Sequence, residues 1–130
     1  MDKAFNFLGM CKKAGALLTG EDGVGGAARQ GKAALIMTAS DTAHNTLKKA
    51  ENLAQWNNAV LVSLPWNKDA LGELLGKRVC AILAITDKGL ASAFAEKLAA
   101  QDPLYGETVK ALKEKSTRRG REFNDKIQNS

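Results

Sequence analysis

Two short, uninterrupted apolar runs constrain the fold of this chain more than any other feature of its sequence. They read ALIMTA at residues 34–39 and VCAILAI at residues 79–85. A strand with one face in water alternates apolar and polar residues, whereas a strand covered on both faces is apolar throughout. The two runs therefore predict a sheet with helices packed against both of its faces.

Helical and strand-like segments alternate around these runs, which is the pattern of an α/β domain. Two further strands are predicted at residues 17–19 and 59–64. Ser40 and Asp41 are expected to cap the third helix, Asn67 the short fourth helix and Asp87 the fifth. Apolar spacing and stop residues predict helices over residues 3–14, 21–30, 42–56, 67–75 and 88–101.

The composition changes after the fifth helix, which an Asp-Pro pair ends. We therefore expect one domain over residues 1–101 and a C-terminal extension over residues 102–130. The extension begins with a predicted helix at 104–114 and continues as a mobile basic tail over 115–130, with four positive charges in its first seven residues. Such a tail is either a solubilising end or an arm that touches phosphates.

Charge and hydropathy exclude several classes of protein. With 45% hydrophobic and 25% charged residues, the chain is neither collagenous, disordered throughout nor membrane-spanning, and no apolar run approaches the roughly 20 residues of a membrane helix. The first residues lack the apolar centre of a signal peptide, so we expect a cytoplasmic location. A net charge of +5 fits a nucleic-acid partner or simply a well-solvated basic protein.

The sequence contains no arrangement of side chains typical of catalysis or metal binding. The single histidine, His44, is expected on a helix surface rather than as a ligand. Cys11 and Cys80 are expected to be reduced structural thiols, with a functional thiol as the alternative. We therefore expect no enzymatic activity, no metal ion, no cofactor and no small-molecule substrate.

One motif leaves an enzyme as a distant alternative. Residues 23–28, GVGGAA, satisfy a relaxed form of the dinucleotide-binding fingerprint, and Asp41 follows near the distance of a ribose-binding acid. However, Glu21 and Asp22 would put two carboxylates where the pyrophosphate must bind, and the preceding strand is short. Both objections weigh against this interpretation.

Several fragments in order resemble a known family. They are TGEDGV at 19–24, GKAALI at 31–36, ASD at 39–41, LGELLGKRV at 71–79 and AITDKG at 84–89. Their order and spacing resemble the kink-turn RNA-binding family of ribosomal proteins, the L7Ae family, in its short bacterial form. The resemblance covers residues 5–98. It implies a three-layer α/β/α sandwich with a small four-stranded mixed sheet.

The resemblance also implies a function and a site. The expected function is non-enzymatic binding of structured, kink-turn-like RNA in translation. Ribosomal RNA is the expected target, with ribosomal proteins as further expected partners. The RNA-binding residues implied by the resemblance are Gly20, Glu21, Asp22, Lys32, Lys77, Arg78, Val79 and Cys80.

These residues are expected to act in two groups. Glu21 and Asp22, at the start of the second helix, would meet non-canonical G·A pairs, while the helix N-terminus attracts phosphate. Val79 would shield an extruded base, with cations beside it on the backbone. Both groups also have a purely structural explanation. Glu21 and Asp22 would then be acidic residues of the kind that favours the first turn of any helix, and Lys77 and Arg78 would form a solvated turn.

The chain departs from the family pattern in the second helix. Archetypal members have Asn-Glu followed by Lys, whereas the corresponding positions here are Asp22, Gly23 and Gly26. The alternative function is therefore a ribosome-associated protein-interaction module that kept the fold while its RNA site decayed.

Overall fold

Four short strands form one mixed sheet in the order β1-β4-β2-β3 in the computed structural model, which describes residues 2–115. β4 runs antiparallel to both neighbours, and β2 and β3 are parallel. The strands are Leu17–Thr19 (β1), Leu35–Thr38 (β2), Val60–Ser63 (β3) and Ile82–Ile85 (β4). Each lies within a segment predicted from the sequence, and β2 and β4 are buried at every position.

The predicted helices are confirmed with small shifts of their ends. A 3-10 turn at Pro103–Tyr105 precedes the last helix, and residues 116–130 lie outside the described part of the chain. Lys115, predicted to begin the tail, lies in the last helix and donates hydrogen bonds to Asn58. The helices are Lys3–Lys13 (α1), Gly20–Arg29 (α2), His44–Asn57 (α3), Lys68–Leu75 (α4), Lys88–Gln101 (α5) and residues 106–115 (α6).

Helices cover both faces of the sheet, so the predicted three-layer α/β/α sandwich is confirmed. α2 and α3 pack on one face, where Ile36, Ile82 and Ala84 point from β2 and β4. α1, α4, α5 and α6 pack on the other, in a larger cluster that includes Phe94 and, from α6, Leu112. The alternation of side chains along each strand divides the two apolar runs between these two cores.

The segment between β2 and α3 differs from the prediction. Ser40 and Asp41 do not cap α3, which begins after Ala43 without a side-chain cap. The chain turns first, held by hydrogen bonds from the Thr42 hydroxyl to the carbonyls of Ala39 and Ala81. Asp41 consequently accepts a hydrogen bond of 2.8 Å from the backbone N–H at the start of α4. This hydrogen bond links the turn to the first residue of α4.

The strand directions gather three helix starts at one edge of the sheet. Thr19 pairs with Leu83, and Thr38 pairs with Ile82 and Ser63, so β1, β2 and β3 end where β4 begins. α2, α3 and α4 therefore start at this edge, beside the chain that leads into β4. We call it the α2 edge.

The loop at residues 77–79 lies directly against α4, and Gly72 makes this contact possible. A Cβ atom at position 72 would come within 2.8 Å of the Val79 Cα and 2.9 Å of the carbonyl oxygens of Lys77 and Arg78. The Lys77 N–H donates to the Gly72 carbonyl at 2.8 Å. The loop position therefore depends on the absence of a side chain at Gly72.

We expect Gly72→Ala to lower the free energy of unfolding by about 1–3 kcal/mol, because the added methyl group meets backbone atoms that cannot move aside locally. The matched control is Gly26→Ala. A Cβ there meets nothing within 4 Å, and helical Gly→Ala is expected to raise stability by about 0.5–1 kcal/mol. Urea denaturation measures both, and equal effects would contradict the packing argument.

Asp2 provides a second test, through pH. Its carboxylate accepts hydrogen bonds from the Phe5 N–H at 3.0 Å and the Trp66 indole N–H at 2.8 Å. Burial acts to raise the pKa of Asp2, but hydrogen bonds from Phe5, Gln101, Trp66 and Ala4 lower it by more, so the net pKa lies below its usual value. The ionised group therefore stabilises the fold above its unfolded pKa, and this contribution disappears as the pH falls through the folded pKa.

We expect Asp2→Ala to cost about 1 kcal/mol at neutral pH, as for other lost helix caps, and the cost to shrink in acid. Denaturation curves at several pH values, followed by tryptophan fluorescence, measure this difference. Asp2→Asn is the control, because it keeps a cap acceptor without the charge. A cost for Asp2→Ala that stays constant into acid would contradict the assignment.

Candidate functional site

The α2 edge brings five of the eight expected site residues around one shallow depression of about 370 Å³. Gly20 and Glu21 come from the start of α2, and Lys77, Val79 and Cys80 from the loop before β4. Antiparallel pairing of β1 with β4 is the cause, because it sets the end of one strand beside the start of the other. Asp22 and Arg78 belong to the same two segments but do not line the depression.

The start of α2 presents backbone donors at this edge. Thr19 is the N-cap residue, and its side chain makes no capping hydrogen bond. The first N–H groups of a helix have no partner within the helix and carry the positive end of its dipole. Gly20 has a φ of +83°, so a side chain at this position would be strained. The first turn of α2 is therefore suited to an anionic or acceptor group.

Glu21 is held by two side chains of α3. The Lys49 ammonium donates to Oε2 at 2.9 Å and the Thr46 hydroxyl donates to Oε1 at 3.3 Å. The hydrogen bond and charge of Lys49 lower the pKa of Glu21, so the carboxylate stays ionised. Asp22 is exposed and accepts no side-chain hydrogen bond among residues 2–115. The edge thus carries one oriented and one free carboxylate.

The loop before β4 carries an exposed apolar side chain beside two cations. Val79 is 50% exposed, and Lys77 and Arg78 have no carboxylate within 4.0 Å in the described part of the chain. Cys80 is only 3% exposed, and burial raises the pKa of its thiol. Its N–H donates to the Lys68 carbonyl at 2.9 Å. Cys80 therefore anchors the loop, and the exposed surface belongs to residues 77–79.

Lys32 lies away from this cluster. It follows the C-terminal end of α2, while Gly20 starts the helix. Ten helical residues span about 15 Å, so α2 separates Lys32 from the depression by roughly its own length. Lys32 is exposed at the opposite edge of the sheet, where the chain enters β2.

Sequence reasoning missed Thr46 and Lys49. No local pattern marks them, because they lie 25 and 28 residues after Glu21 and approach it only when α2 and α3 pack side by side. The one sequence feature that they share is their spacing on α3. The two residues are three positions apart, so they share one face of α3.

The other candidate residues, His44 and Cys11, do not line the depression. His44 is exposed at the start of α3, and Cys11 is buried, which raises the pKa of its thiol. Within residues 2–115, no group of three His, Cys, Asp or Glu residues could hold a metal ion, and no helix is long and apolar enough to cross a membrane.

The dinucleotide-binding interpretation is wrong. The glycines at 23, 25 and 26 lie inside α2 instead of forming a turn before it. Their N–H groups belong to the helix and cannot cradle a pyrophosphate, because that motif needs a glycine-rich loop that opens onto the helix start.

Comparison with known proteins agrees with this arrangement. A family model described as the ribosomal protein L7Ae/L30e/S12e/Gadd45 family matches residues 2–95. The RNA-binding protein YlxQ of Bacillus subtilis (strain 168) is 28% identical over 88 residues, which are 68% of this chain and 87% of YlxQ.

Two solved structures share the fold. A protein of unknown function from Bacillus halodurans C superposes with a TM-score of 0.68 at 27% identity, covering 75% of this chain and 97% of that one. The Giardia lamblia 15.5kD RNA binding protein has a TM-score of 0.59 at 19% identity, over 83% and 85% of the two chains, and shows a likeness of fold alone. Since the family model spans every strand of the sheet and the fold agrees, the chain belongs to the ribosomal protein L7Ae/L30e/S12e/Gadd45 family.

Proposed function

We propose that this protein binds structured RNA through the α2 edge, that the RNA is sharply bent at non-canonical G·A pairs, and that ribosomal RNA is the target. One observation carries the proposal. The Glu21 carboxylate at the start of α2 lines the same depression as Lys77 and Val79 of the exposed loop. Membership of the family and the name of the relative YlxQ support RNA as the ligand.

The start of α2 supplies the chemistry for reading bases. Guanine offers N–H donors on its edge, and ionised carboxylates only accept hydrogen bonds. Glu21 and Asp22 are therefore matched to guanines of G·A pairs, whose edges a bent helix exposes. The uncapped N–H groups around Gly20 bind a phosphate oxygen close to the backbone.

The loop before β4 supplies the second contact. Val79 covers the face of a base that the bend pushes out of the stack, and Lys77 and Arg78 meet the neighbouring phosphates. Cys80 contributes by anchoring the loop, since its thiol is buried. Lys32 meets the sugar-phosphate backbone only if the RNA continues about 15 Å along α2.

In this proposal the protein is a non-enzymatic part of a cytoplasmic ribonucleoprotein of translation, in contact with RNA and neighbouring ribosomal proteins. It needs no cofactor. Residues 102–130 act as an extension whose basic end adds phosphate contacts without sequence preference.

The test is binding of purified protein to a kink-turn RNA and to a plain duplex of equal length, at two salt concentrations. We expect wild-type protein to prefer the kinked RNA. Glu21→Ala with Asp22→Ala should lose about tenfold or more in that affinity, because each lost base contact costs about 1–3 kcal/mol. Net charge alone predicts the opposite result, a higher affinity of the double variant for RNA, because the variant removes two negative charges that face a polyanion.

The matched control is Asp69→Ala with Glu73→Ala, which removes two exposed carboxylates from α4, outside the depression. It should leave the affinity unchanged or raise it slightly. If wild-type protein binds both RNAs equally, kink-turn recognition is excluded. The remaining hypothesis is then the protein-interaction module. Gly26 favours that hypothesis, because this position has no side chain where archetypal family members carry a lysine.

A further inference from the structure

We infer that Lys49 on α3 is a positioning residue for this interface, which holds the Glu21 carboxylate in the orientation that accepts hydrogen bonds from RNA. The inference rests on the proposed function. It assigns a role to a residue that lies outside α2, outside the loop 77–79 and outside its anchor Cys80.

The contacts of Glu21 carry this inference. Lys49 donates to Oε2 and Thr46 to Oε1, so each carboxylate oxygen has its own partner on α3. Glu21 and Lys49 form the one ion pair whose members both lie within residues 2–115. Two attachments from one helix face restrict the rotation of a side chain that would otherwise move freely in solvent.

The held carboxylate keeps capacity for a ligand. An ionised carboxylate has about four acceptor positions, and Lys49 and Thr46 use two of them. The Glu21 side chain is 43% exposed, and that of Lys49 is 61% exposed. The remaining acceptor positions can therefore receive N–H groups from a base edge without release of the ion pair. A preoriented acceptor also loses less conformational entropy when RNA binds.

Lys49 also changes the balance of charge at the start of α2. Glu21 and Asp22 would together repel the phosphates of an approaching RNA. α2 offers no cation near its start, because Gly23, Gly25 and Gly26 occupy the following turn and its basic residue, Arg29, lies in the last turn. Lys49 offsets one of the two negative charges from α3. The same contact lowers the pKa of Glu21 and keeps it an acceptor.

A lysine at this place could instead bind a phosphate directly, and a double-mutant cycle separates the two roles. The variants are Lys49→Met, Glu21→Gln and the combination, measured for affinity to kink-turn RNA and plain duplex. Lys48→Met is the matched control. Lys48 is the adjacent exposed lysine on α3 and makes no contact with Glu21.

We expect Lys49→Met to weaken binding of the kinked RNA about fivefold more than Lys48→Met does, in the range of coupling between neighbouring charged groups. Both variants should weaken duplex binding equally. In the Glu21→Gln background the extra effect of Lys49→Met should vanish, and Lys49→Arg should restore most of the affinity. NMR titration should show the pKa of Glu21 rising toward its usual value in Lys49→Met.

Two results overturn the inference while leaving RNA binding intact. One is an undiminished effect of Lys49→Met in the Glu21→Gln background, which would mean that Lys49 touches the RNA itself. The other is equal affinity of Lys49→Met and Lys48→Met for the kinked RNA. Failure of the wild-type protein to prefer kinked RNA would overturn the proposed function and this inference together.

Discussion

Antiparallel pairing between β1 and β4 is the interaction on which the candidate site depends. The register of Thr19 with Leu83 sets the start of α2 beside the loop that enters β4, although nearly sixty residues separate these segments. β1 has only three residues, so its position rests on burial of Leu17 in the larger core as well as on ladder hydrogen bonds. The depression at the α2 edge follows from this one pairing.

Close packing then fixes the two walls of the depression. On one side the loop 77–79 rests on Gly72, and the buried Cys80 continues it into the core. On the other, α2 and α3 approach through a cluster rich in alanine, which brings Thr46 and Lys49 within reach of Glu21. In both walls, buried contacts therefore hold the backbone that carries the exposed side chains. Such rigid support allows side chains at a surface to be preoriented.

Much of the fold was predictable, because the signals were strong and local. Continuous apolar runs marked β2 and β4, and the caps Asn67 and Asp87 marked the starts of α4 and α5. The first residues of the predicted strand at 79–85 were wrong. The strand begins at Ile82, because Val79 lies against Gly72 and the Cys80 N–H donates to the Lys68 carbonyl. The cap assigned to Asp41 was wrong because a turn at residues 39–42 redirects its carboxylate toward Lys68. Both errors arise where a tertiary contact overrides a local preference.

The sequence by itself determined the layers of the fold and the chemical character of the candidate site. Apolar periodicity decided which faces are buried, and the order of motifs pointed to Gly20–Asp22 and the loop 77–80. Only the tertiary structure decided which of these residues meet. In the folded chain the start of α2 lies beside the loop, and Lys32 lies at the far end of α2. Cys80 is buried, and Lys49 of α3 contacts Glu21. The physical reason is that burial patterns are encoded locally, whereas a contact between exposed side chains depends on how distant elements pack.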